Sequence, residues 1–181
     1  MTLLLLTFSI LLASISADVP GDFQESQIVP DVIPIAPEDE AHVTYKKGFD
    51  VNLGNEATPG EVQTAPRVSW PAEKKSLYSL FMIDPDAPSR ESPSMHEFLH
   101  WMVVNIPGSK VAKGDTLIDY FPPTPPPGTG PHRYVFLVYK QQDEIDDSAA
   151  PTKRAGFSVS QFAQQHNLGN PVAGNFFMAQ R

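Results

Sequence analysis

Nineteen prolines and eleven glycines punctuate the chain, and no other feature limits its folding choices so strongly. Proline fixes φ and removes a backbone donor, so it interrupts helix interiors and central strands, and glycine marks turns. Long helices and heptads are excluded, no internal repeat is visible, and most of what remains between the breakers is of strand length. The stretches "LYSLFMI" (77–83), "HWMVVNI" (100–106) and "RYVFLVYK" (133–140) are rich in β-branched and aromatic residues. The run from Tyr134 to Tyr139 is apolar on both faces, which suits a central strand covered on two sides. "HVTY" (42–45) and "FDVNL" (49–53), around Lys46-Lys47-Gly48, predict a hairpin. One segment, "SVSQFAQQHNLG" (158–169), has helical character, with Ser158 or Ser160 as N-cap and Gly169 as stop. The acidic "DEIDD" (143–147) reads as a solvated loop, the segment around Asp115 and Asp119 as turn-rich, and the chain through "VPDVIPIAPEDE" (29–40) as an extended lead-in.

The first 17 residues carry no charged side chain, run apolar from Leu3 to Leu12, and end in small residues with candidate cut sites at Ser16 and Ala17. This predicts a secretory signal peptide, its apolar core too short to span a bilayer. Residues 18–181 then form a single domain, large enough for a proper core. Its formal charge of −8 disfavours nucleic acid and anionic membrane surfaces, which repel an acidic protein at long range. An anion must instead be caught locally by a few aimed donors. Cysteine is absent, so packing alone must hold the fold, and no N-glycosylation sequon occurs.

His96, Glu97 and His100 have the spacing HExxH, which on a helix binds zinc with the Glu as general base. Here Pro93 lies just upstream, and Trp101 to Ile106 is strand-like up to Pro107. A helix between them would be under two turns long, so the motif is read as coincidental and no metal is expected.

"DPDAPSR" (84–90) follows a predicted strand, His100 begins another, and His132 enters a third through a Gly-Pro turn. Three strand ends thus offer Asp, His and His, and sites on rigid elements are built at such places. Together "DPDAPSR", "HWMVVNIPG", "GTGPHRYVFLVYKQ" and "PVAGNFF", in this order, resemble the phosphatidylethanolamine-binding protein family, also called the Raf kinase inhibitor protein family, and especially its secreted invertebrate members. The resemblance runs from about His42 to Phe177. It implies a mainly β fold: a large central antiparallel sheet, a second small sheet and few peripheral helices.

The resemblance also implies a pocket for phosphate or a phospholipid headgroup, formed by Asp84, His100, Pro125, His132 and Tyr134, with Ala87, Pro88 and Phe98 as walls and a cis Ala87–Pro88 bond. His100 and His132 would offer ring N–H groups and Tyr134 its hydroxyl. Asp84 would orient an imidazole rather than face the anion, and Asp86 would brace the turn with Ser89 and Arg90. His42, His96 and His166 are expected to be bystanders, and Trp70 and Trp101 core residues. Where the family often shows Tyr-Arg-Glu-Trp-His-His, this chain has Met95 to His100, with Phe98 for the bulky aromatic and Leu99 for the first His.

No nucleophile–base pair is apparent, so the expectation is a secreted, monomeric, non-enzymatic binding protein without cofactor, its partner a phosphate or phospholipid headgroup such as phosphatidylethanolamine. An extracellular serine protease inhibitor or signalling modulator stands as the alternative, and a carrier of odorants or other apolar molecules as a third. Relatives usually continue past "PVAGNFF" into a C-terminal helix at the pocket mouth, whereas this sequence ends at Arg181. For a chain complete at Arg181 the expectation is a pocket open on one side, weak and unselective binding, and an exposed apolar patch at Phe176 and Phe177; a fragment of a longer chain stands as the alternative.

Overall fold

The structure is a computed structural model describing residues 18–181; the predicted signal peptide lies outside the described residues. Among the described residues eight strands are present: β1 (Asp39–Glu40), β2 (His42–Thr44), β3 (Arg67–Ser69), β4 (Leu77–Asp84), β5 (Phe98–Pro107), β6 (Asp115–Ile118), β7 (His132–Lys140) and β8 (Ala173–Ala179). Six build one sheet in the order β1-β8-β7-β4-β5-β6, and β2 and β3 form a separate ribbon. Pairing in the large sheet is antiparallel except at the two-residue edge strand β1, which lies parallel to β8. The sheet is thus mixed rather than wholly antiparallel. Helices are short: α1 (Val19–Glu25), a four-residue α2 (Ile28–Asp31) and α3 (Val159–Gln165).

The period-two alternation of β4 divides the core. Leu80 and Met82 face the ribbon side with Val43, Val68, Tyr134, Phe136 and Phe177, whereas Phe81 and Ile83 face α1 and α3 with Phe23, Phe162, Leu137 and Phe176. Covering both faces explains why β4 and β7 read as continuous apolar runs. Each fully buried Phe or Leu contributes roughly 1.5–3 kcal/mol, and without disulfides this packing holds the chain.

Ser158 caps α3 as expected, its Oγ accepting from the Gln161 N–H at 3.3 Å. Several expectations are corrected. The lead-in contains helix α1, capped by Asp18, with Val19 and Phe23 one turn apart and both buried. The hairpin around Lys46-Lys47-Gly48 is present as a tight turn at Gly48 (φ +88°) with an antiparallel bridge between Thr44 and Asp50, but its second arm forms no extended strand, and β2 takes β3 as its strand partner. Asp115 starts an edge strand. Phe176 and Phe177 form no exposed patch: Phe176 meets Phe23 edge-on at 5.3 Å and Phe177 stacks on Tyr134 at 5.2 Å, both fully buried. Strand β8 lies inside the sheet, which is why its side chains are covered on both faces.

Candidate functional site

At one end of the sheet the last residue of β4, Asp84, pairs with Phe98 of β5, and β7 begins beside them with His132. The register runs from Met82↔Trp101 directly to Ile83↔Leu99, so β5 carries one extra residue, His100. Adjacent strand residues normally point to opposite faces. This bulge lets His100 join Trp101 on the ribbon side, where its ring meets Tyr134 edge-on at 5.2 Å. The predicted residues Asp84, Ala87, Pro88, Phe98, His100, Pro125, His132 and Tyr134 all line one cavity of about 240 Å³, with Met95, Phe121, Thr124 and Pro126 completing it. The Ala87–Pro88 bond is cis.

The hydrogen bonds assign roles. Asp84 Oδ2 lies 2.8 Å from His132 Nδ1, and its Oδ1 accepts from the Asp86 N–H at 2.8 Å. Asp84 therefore holds an imidazole and its own turn together. His132 Nε2 lies 3.0 Å from Thr129 Oγ1, which is also 2.8 Å from the Pro126 carbonyl. A neutral imidazole has one N–H, and His132 Nδ1 faces the Asp84 carboxylate, so in the neutral ring Nε2 accepts and Thr129 donates to it; Thr129 accepts from His132 only when both ring nitrogens carry protons. Thr129 thus occupies the His132 nitrogen expected to face a ligand, a contact that residue spacing did not reveal.

His100 donates from Nδ1 to the Phe121 carbonyl at 2.7 Å, and Nε2 has no protein partner among the described residues. Burial holds its pKa below the ordinary imidazole value, with the Phe121 carbonyl and Asp84 opposing. Near neutral pH Nε2 consequently presents a lone pair, and it becomes a donor only on protonation; the expectation of a ready N–H is corrected. The Tyr134 hydroxyl is buried and has no hydrogen-bond partner at proper geometry among the described residues, although Asp84 lies close enough to act on it. Burial first, and the charge of Asp84 second, keep it protonated by raising its pKa, so it can donate.

Asp86 does brace the turn, but with Arg133 rather than Ser89 or Arg90. Arg133 Nη2 and Nε bond its two carboxylate oxygens at 2.7 and 3.0 Å, and the Arg133 N–H donates to Oδ2 at 2.8 Å. The same guanidinium donates to the Ser26 and Gln27 carbonyls, fastening the segment between α1 and α2 behind the cavity. Arg90 bonds Gln27 instead.

The HExxH residues diverge: His96 bonds the Pro85 carbonyl, Glu97 Oε2 accepts from the Val159 N–H at 3.1 Å, and His100 enters the cavity. Among the described residues no cluster of three or more His, Asp or Glu side chains is placed to hold a metal. Glu97 is only 2 % exposed, and burial raises its pKa to about 8. Of the other expected bystanders, His166 packs on Phe162 at 4.2 Å, and His42 lines a different groove. Trp70 and Trp101 are buried.

The sequence profile described as phosphatidylethanolamine-binding protein matches residues 36–177. A 26 kDa secreted antigen of Toxocara canis is 43% identical over 164 residues, which cover 87% of this chain and 63% of that protein. A putative odorant-binding protein A5 of Drosophila melanogaster is 36% identical over 162 residues, covering 86% and 77%. The chain thus spans less than two thirds of the Toxocara protein. Among solved structures, carboxypeptidase Y inhibitor, complexed with its cognate proteinase, superposes with a TM-score of 0.81 at 28% identity, over 90% of this chain and 94% of that one.

Proposed function

The chain belongs to the phosphatidylethanolamine-binding protein family, and from that premise we propose that it is a secreted, non-enzymatic protein binding phosphate-bearing small ligands or phospholipid headgroups, such as phosphoethanolamine. The observation that carries this reading is the Tyr134 hydroxyl, buried on the wall of the strand-end cavity without a well-placed partner among the described residues. An unpaired buried donor is unfavourable by about 1–3 kcal/mol, and a ligand oxygen would satisfy it. His100 Nε2 and, once Thr129 yields, His132 Nε2 stand on the same wall and complete a set of three aimed groups.

Thr129, His132 and Asp84 form a hydroxyl–imidazole–carboxylate chain, the arrangement that activates nucleophiles when the imidazole takes the hydroxyl proton. Here Thr129 Oγ1 lies 2.8 Å from the Pro126 carbonyl as well as 3.0 Å from His132 Nε2, so the hydroxyl is tied into its own turn, which favours a structural role for it over that of a nucleophile. Calorimetric titration with glycerophosphoethanolamine, whose diester phosphate does not titrate near neutrality, tests the reading. Binding by the native chain and its loss in His100→Ala are expected, and equal affinity in the two would refute it.

The likeness to carboxypeptidase Y inhibitor supports protease inhibition as a second reading. Inhibition of a carboxypeptidase that survives His100→Ala, with no headgroup bound, would favour it.

A further inference from the structure

A larger groove, of about 660 Å³, runs between the β2–β3 ribbon and β5, away from the strand-end cavity. Its volume falls within the usual range for small-molecule sites. Trp101 and Val103 line it from β5, and Val111, from the 3-10 turn after that strand, adds a further apolar side chain. Trp101 packs edge-on against Tyr120 at 5.9 Å, which fixes its ring. His42, Arg67 and Lys110 supply every ionisable side chain on the lining, and no Asp or Glu lines it. Arg67 and Lys110 are exposed and have no carboxylate within salt-bridge distance among the described residues.

Acidic side chains outnumber basic ones by 21 to 13 in this chain, so a wholly basic lining around an indole is a local reversal of the molecule's charge. Apolar walls with a few convergent polar groups fix both the body and the orientation of a ligand. We propose that this groove is a second binding site, for a small organic anion with a flat apolar body: the body lies against Trp101 and Val103, and the anionic group meets Arg67 and Lys110. The strand-end cavity differs in kind, since its donors are buried and its wall includes Asp84.

The test uses anilinonaphthalene sulfonate and phenylnaphthylamine, which share a ring system but differ in charge, titrated by fluorescence into the native chain. The sulfonate is expected to bind saturably, one per chain, and more weakly as salt rises. Arg67→Gln with Lys110→Gln should weaken it about fivefold while leaving the neutral probe unchanged; both substitutions are at exposed positions, and circular dichroism reports that the fold is kept. His100→Ala should leave both probes unaffected, which separates this site from the headgroup site. Absence of saturable sulfonate binding, equal loss of both probes in the double variant, or loss of the sulfonate in His100→Ala would overturn the proposal.

Discussion

Replacing Glu97 with Gln should stabilise the protein, and increasingly so as pH rises. Glu97 is buried, its side chain accepting one hydrogen bond, from the Val159 N–H, and burial lifts its pKa from the ordinary 4.5 to about 8. A carboxyl with a raised folded-state pKa holds its proton where the unfolded chain has released it, so its contribution falls as pH climbs from about 4.5 to about 8. That span, at about 1.4 kcal/mol per pH unit, gives about 5 kcal/mol for the fully ionised form. Integrated with the same two values, the penalty is about 1 kcal/mol at pH 5 and between 4 and 5 at pH 8.5, as an order of magnitude. Gln keeps an acceptor for Val159 and cannot ionise. His100, whose lowered pKa drives stability the opposite way, is present in both chains and cancels in the difference. Urea unfolding followed by tryptophan fluorescence should therefore show the advantage of Glu97→Gln growing by about 3–4 kcal/mol between pH 5 and pH 8.5, a midpoint shift of roughly 2 M. An advantage that does not change with pH would refute the reasoning.

Asp86→Asn should lower stability by about 3–5 kcal/mol, read as a fall in urea midpoint, because it leaves the buried Arg133 guanidinium without its main counter-charge. Thr129→Val should raise glycerophosphoethanolamine affinity in calorimetry by freeing His132 Nε2; a weaker complex would show that the hydroxyl assists the ligand instead. Affinity should rise as pH falls below the ordinary imidazole value of about 6.5, since burial lowers the pKa of His100 and delays its conversion to a donor. A profile that is flat down to pH 5 would exclude His100 as the titrating partner, beside Asp84, His132 and Tyr134.

The strands were legible because β4 and β7 are buried on both faces and so carry unbroken apolar runs, and α3 was legible because Ser158 caps it. Helix α1 was hidden by its shortness and by Pro20 and Gly21, although Asp18 followed by Val19 and Phe23 at helical spacing was a usable signal. Placement at three strand ends nominated Asp84, His100 and His132, whereas Tyr134 and the cavity walls could be nominated only through motifs resembling a family. Nothing in the sequence alone announces the bulge that turns His100 toward Tyr134. Arg133 escaped notice because its partner Asp86 is 47 residues away, and Thr129 because a hydroxyl in a Pro-Gly loop reads as a turn residue. The burial of Glu97 depends on the approach of α3, from a remote part of the chain.

The most direct test of the headgroup site is calorimetric titration of glycerophosphoethanolamine into Tyr134→Phe beside the native chain, with thermal unfolding of both. The hydroxyl has no hydrogen-bond partner at proper geometry among the described residues, so its removal should leave the unfolding temperature unchanged or slightly raised, while affinity falls roughly tenfold or more for the loss of one hydrogen bond to a charged oxygen. Equal affinity of the two chains would contradict the placement of the phosphate in this cavity.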